Sequence, residues 1–318
     1  MWPPSLKGAF AHYEFLDEAM LDGNIYDSKG KAVLPKPLPV RDQAMRIMAA
    51  AIHNGQAGNH GGLMWYVGNS PKGTAVLQKT LSSAQYTYIK AHGLDPVTSN
   101  LEVAPGTHYL LGGISINECC QTTLAGLFAT PECAGNFDGA NRLAGSGITA
   151  TQVFGARAGL SAGKWAHGNP AMNADQASIE EEMERVSAKL SQTKRTGKDR
   201  IALEEKLRSA MQTYAGVNRN AEGLTRLAEF IREVRDAAAD LTAPETSVYN
   251  QQLVDLLQLE IMAEAAGIVA ASALARQESR GHHYRTDFPT QQESWLRHTA
   301  VVQGVSGPQV GTRPVITR

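Results

Sequence analysis

A chain of 318 residues, 42% hydrophobic with a net charge of −1, can bury one large core or two to three modest ones. The absence of a basic excess speaks against nucleic acid and anionic membranes as partners, and no apolar run approaches the roughly 18 residues a membrane helix needs. The opening MWPPSLKG has no signal-peptide core, and Cys119, Cys120 and Cys133 form no metal spacing such as CxxC, so a reduced, cytoplasmic setting is expected.

In chain order, residues 1–40 are turn-rich, with a hairpin predicted around the turn Asp27-Ser-Lys-Gly30. Pro35, Pro37 and Pro39 keep the chain extended as far as Val40. Ala44, Ile47, Met48, Ala51 and Ile52 then fall at helical spacing; Asp42 suits the start of that helix and Asn54-Gly55 its stop. LMWYV, residues 63–67, reads as a strand between glycine turns, and residues 76–92 as a helix. His60 reads as a solvated or satisfied loop histidine.

Residues 104–159 stand apart, because glycine is dense there and charges are few. Clustered glycines mark left-handed turns or a backbone pressed close to a ligand. His108 precedes Gly112-Gly113, Glu132 follows the apolar run LAGLFAT, and Arg142 stands alone in GANRLAGSGI before a helical run, TATQVFGARAG. A strand ending in a carboxylate, then a glycine turn and a helix N-terminus, suits a phosphorylated cofactor. On the residues alone, His108 reads as a structural strand-end histidine and Arg41 as a surface arginine before a helix. Glu132 reads equally as a cap or a ligand, and Arg142 has the least structural purpose.

Beyond residue 174 come three amphipathic helices, ADQASIEEEMERVSAKL, DRIALEEKLRSAMQTYAGV and GLTRLAEFIREVRDAAADL, with Asp175 and Asp199 as expected N-caps. Residues 248–276 are apolar most of the way round and predict the central helix of a small bundle. His282 and His283 have no third ligand at useful spacing, so no metal site is expected. The tail VVQGVSGPQVGTRPVITR reads as an extended arm.

Several blocks, in order, resemble the flavoprotein subunit of succinate dehydrogenase and fumarate reductase, and its relative L-aspartate oxidase. The family's HYTMGGI is matched by residues 108–114, its GLYAAGECAGG by residues 126–135, its GANRL by residues 139–143 and its VFGRRAG by residues 153–159. The family's PRDVVSRAI helix resembles the stretch from Arg41, and its RKESRGAHxRxDYP and NWLKHT blocks resemble residues 277–289 and 293–299. The likeness covers nearly all of this sequence but only the C-terminal half or so of the family's protein.

The resemblance implies an α+β chain: a capping domain over residues 1–103, the C-terminal segment of an FAD-binding α/β domain over 104–168, a helical bundle over 169–280 and an extended tail over 281–318. It implies FAD as cofactor and a small dicarboxylate as substrate. His108 and Arg142 would hold a carboxylate, and Arg41 would shuttle the proton. Gly112, Gly113, Glu132, Ser146, Gly147 and Ile148 would line the cofactor, with Glu132 on the adenosine ribose and residues 146–148 at the flavin ring. Arg280 and His283 are carried toward the cofactor region by the same block. Pro131 stands where a glycine usually precedes the glutamate, which bears on how the adenosine end is held; Gly147 stands where serine is frequent and Leu110-Leu111 where Thr-Met is usual, which bears on substrate and redox direction.

The GxGxxG that holds an FAD pyrophosphate is absent from these residues, as are the family's flavin-linking histidine and its Thr-Glu pair. With an initiating Met and an unbroken tail, the reading is one half of a split enzyme. A second polypeptide would bring GxGxxG, an iron–sulfur subunit would carry electrons, and the assembly would lie peripherally on the inner face of a membrane. An L-aspartate oxidase-like or other α,β-unsaturated acid reductase is the alternative enzyme, and a non-catalytic structural subunit the alternative class.

Overall fold

In a computed structural model, the structure describes residues 25–65, 101–107, 109–143, 145–170, 174–191, 197–246, 248–305 and 307–315, and isolated positions between 87 and 95. Most of the helix expected over 76–92, the end of the LMWYV strand, His108 and the side chain of Arg41 lie outside the described residues. The chain divides into two compact units, one up to Leu110 and one from Leu111.

In the first unit, β1 (Ile25–Tyr26), β2 (Leu63–Trp65) and β3 (Leu101–Val103) form an antiparallel sheet in that order. Ile25 pairs with Trp65 and Leu63 with Val103, and all four side chains are buried. The expected hairpin turn is present. Gly30 adopts φ 78°, and the Asp27 carboxylate accepts the amides of Lys29 and Lys31 at 2.9 and 2.8 Å. This Asx-type turn is the reason for aspartate at that corner. Helix α1 (Arg41–Ala51) buries Ala44, Met48 and Ala51, and widens into a π-type turn over Ile52–Gln56 that ends through Gly55 at φ 75°.

A buried carboxylate anchors the loop before β2. Glu102 accepts the His60 amide at 3.0 Å and the Gly62 amide at 3.1 Å. Charge-assisted acceptance from two amides, with the group out of water, is worth about 2 kcal/mol. Glu102→Ala should therefore lower stability by about 2 kcal/mol and speed hydrogen exchange at the His60 and Gly62 amides, while Glu102→Gln retains part of both.

The second unit opens with an irregular segment and then α2 (Ser146–Gly168), of which only Ala150 and Ala158 are buried. Helices α3 (Gln176–Ser187), α4 (Gly197–Tyr214), α5 (Ala221–Ala239) and α6 (Gln251–Ala275) follow. Leu224, Leu227, Ile231, Val234 and Ala238 of α5 alternate at three- and four-residue spacing and meet Leu256, Leu259, Ala263, Ala266 and Ala270 of α6 in one core with Leu207 of α4. Such spacing puts one stripe of each helix inside, and the alanines let the axes approach. Helix α6 is central, since it packs against α4, α5 and the C-terminal hairpin. It is apolar outside as well: Val254, Ile261 and Ile268 form an exposed stripe.

Side-chain caps begin three helices. Asp175 accepts the Ser178 amide, Asn220 the Gly223 amide and Asn250 the Leu253 amide. Asp199 is not a cap, because α4 starts two residues earlier, at Gly197; it lies in the first turn, where a negative charge suits the helix dipole.

Short β4 (Asn218–Arg219) pairs parallel with β5 (Tyr284–Arg285). The tail is a hairpin of β6 (Arg297–Gly304) and β7 (Gly307–Pro314), in register from Arg297–Pro314 to Gly304–Gly307. A glycine on each side of the reversal, with Gly307 at φ 116°, lets the extended segment fold back on itself. Among the described residues, no helix is long and apolar enough to cross a membrane.

Candidate cofactor and substrate site

The glycine-rich stretch folds on itself within the second unit. The Ile114 amide donates to the Cys133 carbonyl and the Gly135 amide to the Ile114 carbonyl, both at 2.8 Å, so residues 113–114 run beside 133–135 in a parallel bridge. A Cβ on Gly113 would strike the backbone of Cys133 and Ala134, so only glycine fits there. This contact sets Gly112-Gly113 next to Glu132, whose side chain is exposed. Asn136, at φ 77°, donates to the Ser115 hydroxyl at 2.9 Å, and Arg313 of β7 donates to the same hydroxyl at 3.0 Å.

Helix α2 starts from Gly145 at φ 82°, without a side-chain cap. The Ser146 hydroxyl donates to the Leu143 carbonyl at 2.8 Å, and the Ser146 amide donates to the same carbonyl at 3.3 Å. The amides of Gly147 and Ile148 precede the first intrahelical bond, and the helix dipole adds partial positive charge there. Leu143 and Ile148, 81% and 79% exposed, flank this end.

Arg142 is half-buried in the loop leading to α2. The turn Arg280–His283 docks on the residues before it. The His282 amide donates to the Ala140 carbonyl at 2.9 Å, and His282 Nε2 lies 2.7 Å from Asn141 Oδ1.

Behind that turn is a charged network. Glu278, fully buried, accepts from Arg276, from Arg280 Nε at 2.8 Å and from the Gln292 amide at 3.0 Å. Desolvation pushes its carboxyl up, but the bonds from Arg280, Gln292 and Arg276 prevail and hold it below the ordinary glutamate range. Arg285, also buried, donates to the Ala273 and Leu274 carbonyls at the end of α6 and forks onto Asp287 at 2.7 Å. That fork, opposed by desolvation and aided by the Ala221 amide, lowers Asp287 to about 2. His283 Nδ1 lies 3.1 Å from Arg219 Nη1, and Nε2 faces the Arg276 carbonyl at 3.3 Å. Burial, and then the Arg219 charge, lower His283 to about 4, so its imidazole is neutral and accepts from Arg219. Arg280 and His283 are thus engaged inside this network.

The structure gathers Gly112, Gly113 and Glu132 at one place, and Arg142 and Ser146–Ile148 along one loop and helix start. Arg41 is the first residue of α1; its side chain, and all of His108, lie outside the described residues. Sequence reasoning missed the contact of His282 with Asn141, 141 residues away, for which no local pattern exists.

Two family models match the chain: an FAD binding domain over residues 17–148 and the fumarate reductase flavoprotein C-terminal region over residues 204–318. The chain belongs to the succinate dehydrogenase/fumarate reductase flavoprotein family. It is 34% identical to a fumarate reductase (CoM/CoB) subunit of Methanothermobacter marburgensis over 273 residues, covering 86% of this chain and 47% of that protein. L-aspartate oxidase of Mycobacterium leprae is 32% identical over 279 residues, covering 87% of this chain and 47% of the oxidase. The Mycobacterium smegmatis Sdh1 structure in complex with UQ1 superposes with a TM-score of 0.83 at 26% identity, over 100% of this chain and 54% of Sdh1. The chain therefore spans about half the length of the curated relatives it matches. The α+β architecture is that of the family's flavoprotein fold.

The cofactor of this family is FAD. The residues present fit part of such a group. Gly113 leaves a side-chain-free approach beside Glu132, and the uncapped α2 start offers amides between two exposed apolar side chains, which suits a flat ring with a polar edge. A pyrophosphate cradle of the GxGxxG kind is not among these residues.

Proposed function

We propose that this chain is the C-terminal half of a split FAD-dependent oxidoreductase that interconverts a dicarboxylate pair such as succinate and fumarate. The observation that carries the reading is the run of family blocks in register, from Arg41 through Arg142 to residues 277–299, together with family models over residues 17–148 and 204–318. FAD, when bound, supplies the hydride acceptor or donor at its N5 atom. The protein's work is orientation and charge. Arg142 grips one substrate carboxylate, for which a planar guanidinium fork is suited. His108 assists it and Arg41 delivers the proton to the neighbouring carbon, roles carried over from the resemblance. Glu132 would accept from the ribose hydroxyls of the FAD adenosine, and the Ser146–Ile148 backbone would lie at the flavin ring, roles likewise carried over from the resemblance.

A second polypeptide with GxGxxG completes the site. Helix α2 supports this, because Ile148, Val153 and Leu160 are exposed on it while only two alanines are buried. An iron–sulfur subunit is proposed as the electron partner, and through it a peripheral place at a membrane. The 32% identity to an L-aspartate oxidase favours an aspartate-oxidising or related acid reductase as the second reading.

The test is to purify the native assembly gently, record its visible spectrum and assay fumarate, succinate and aspartate. Flavin bands with a co-purifying GxGxxG chain are expected. Arg142→Ala should cost about 10- to 100-fold in kcat/KM, the worth of a charge-assisted bond of about 1.5–3 kcal/mol. A colourless chain that takes up no FAD alongside its partner, or full activity in Arg142→Ala, would point to a structural subunit.

A further inference from the structure

We infer that His282 is a positioning residue for Arg142, latching the loop that carries it to the C-terminal block. The inference rests on the reading of Arg142 as a substrate-carboxylate ligand. Arg142 sits at the end of an irregular stretch, and half a turn of misplacement would swing its guanidinium away from any carboxylate. Arg142 therefore needs support from outside its own segment.

That support comes from about 140 residues further on. Gly281 has φ 57°, and a Cβ there would run into the Ala140 carbonyl, so the two backbones touch. The His282 amide donates to that same carbonyl at 2.9 Å. The imidazole then adds a second bond: with Asn141 Oδ1 as the acceptor at 2.7 Å, Nε2 must carry the proton and donate. Backbone and side chain together pin two consecutive residues, Ala140 and Asn141, and Arg142 is the next. The latch is itself rigid, because Arg280 is tied to buried Glu278 and the Arg280 amide donates to the His283 carbonyl at 2.8 Å.

The experiment compares His282→Ala and His282→Gln with wild type in the assembled enzyme. Gln retains an N–H that can reach Asn141. In His282→Ala, loss of one hydrogen bond worth about 1 kcal/mol should raise KM for the dicarboxylate about fivefold with kcat within about twofold. Hydrogen exchange in the peptide spanning 139–145 should quicken by about the same factor, and His282→Gln should restore both. Unchanged exchange, faster exchange without a KM change, or equal losses in both variants would overturn the inference. An assembly inactive toward every dicarboxylate would instead sink the functional reading, and the exchange contrast alone would then decide the latch.

Discussion

Glu278→Ala should destabilise the second unit by about 3 kcal/mol, the low end of the range for removing one partner of a buried ion pair. The carboxylate is fully buried between two guanidiniums, Arg276 and Arg280, whose side chains are only 14% and 17% exposed. Truncating it leaves both cations in a poorly hydrated place without a counter-charge. They would keep some acceptors, since Arg276 also donates to the Trp295 carbonyl at 2.7 Å and the Arg297 carbonyl at 2.9 Å, and Arg280 to the Gln292 carbonyl at 3.0 Å. Those bonds are why the effect sits at the low end. They also identify what the network holds: Arg276, at the end of α6, reaches the chain leading into β6 and lies over the Trp295 ring at 5.4 Å. Loss of the carboxylate should therefore loosen the hairpin as well as the 280–283 turn. Glu278→Gln should recover part of the stability, because it still accepts hydrogen bonds. Glu264→Ala removes an exposed partner of Arg235 at 3.9 Å and should cost less than about 0.5 kcal/mol. Urea unfolding of the four proteins measures the ordering, and equal midpoints for Glu278→Ala and Glu264→Ala would mean the buried network contributes nothing.

What the sequence could disclose divides along sequence distance. The spacing of Leu224, Leu227, Ile231 and Val234 is local, so α5 and its buried face were legible, as was α6 from its length and apolarity. Gly30 and Asp27 announced their turn because both halves of the interaction lie within four residues. Asp199 misled, since a good capping residue two positions inside a helix looks the same as one at its start. Glu102 gave no signal: nothing near it in sequence marks it, and only the fold brings it to the amides of His60 and Gly62, some 40 residues earlier. The candidate site was legible only through resemblance, because glycine clusters mark close approach without saying to what. Gly113 illustrates this, its partner being a backbone at residues 133–134. The 277–289 block was recognisable as a block, but its wiring was not. Arg285 reads as one more surface arginine until the structure buries it against the last carbonyls of α6.

Acidification should weaken the chain in two separable steps, the first set by His283. Its folded value of about 4 lies below the roughly 6.5 of an unfolded histidine. The unfolded chain therefore takes up a proton first as pH falls, and the stability that a neutral His283 contributes is fully present above about pH 6.5 and lost progressively down to about pH 4. A difference of this size corresponds to about 3 kcal/mol over that window. The cause is positional: the imidazole is buried with Arg219 at 3.1 Å on one side and the Arg276 carbonyl on the other, and Arg285 adds further positive charge nearby. A protonated ring would lose its role as acceptor for Arg219 and face that guanidinium as a like charge. Asp287 follows at lower pH. Its fork with Arg285 holds it near 2, so its contribution is present above about pH 4 and disappears between there and pH 2. His283→Asn separates the two, because Asn Oδ1 can take the place of Nδ1 as acceptor for Arg219 but does not titrate. Unfolding free energies measured from pH 7 to pH 4 should fall by about 3 kcal/mol more in wild type than in His283→Asn, while both should weaken alike below pH 4. Parallel curves between pH 7 and pH 4 would show that His283 is not held neutral by its burial and its arginine neighbours.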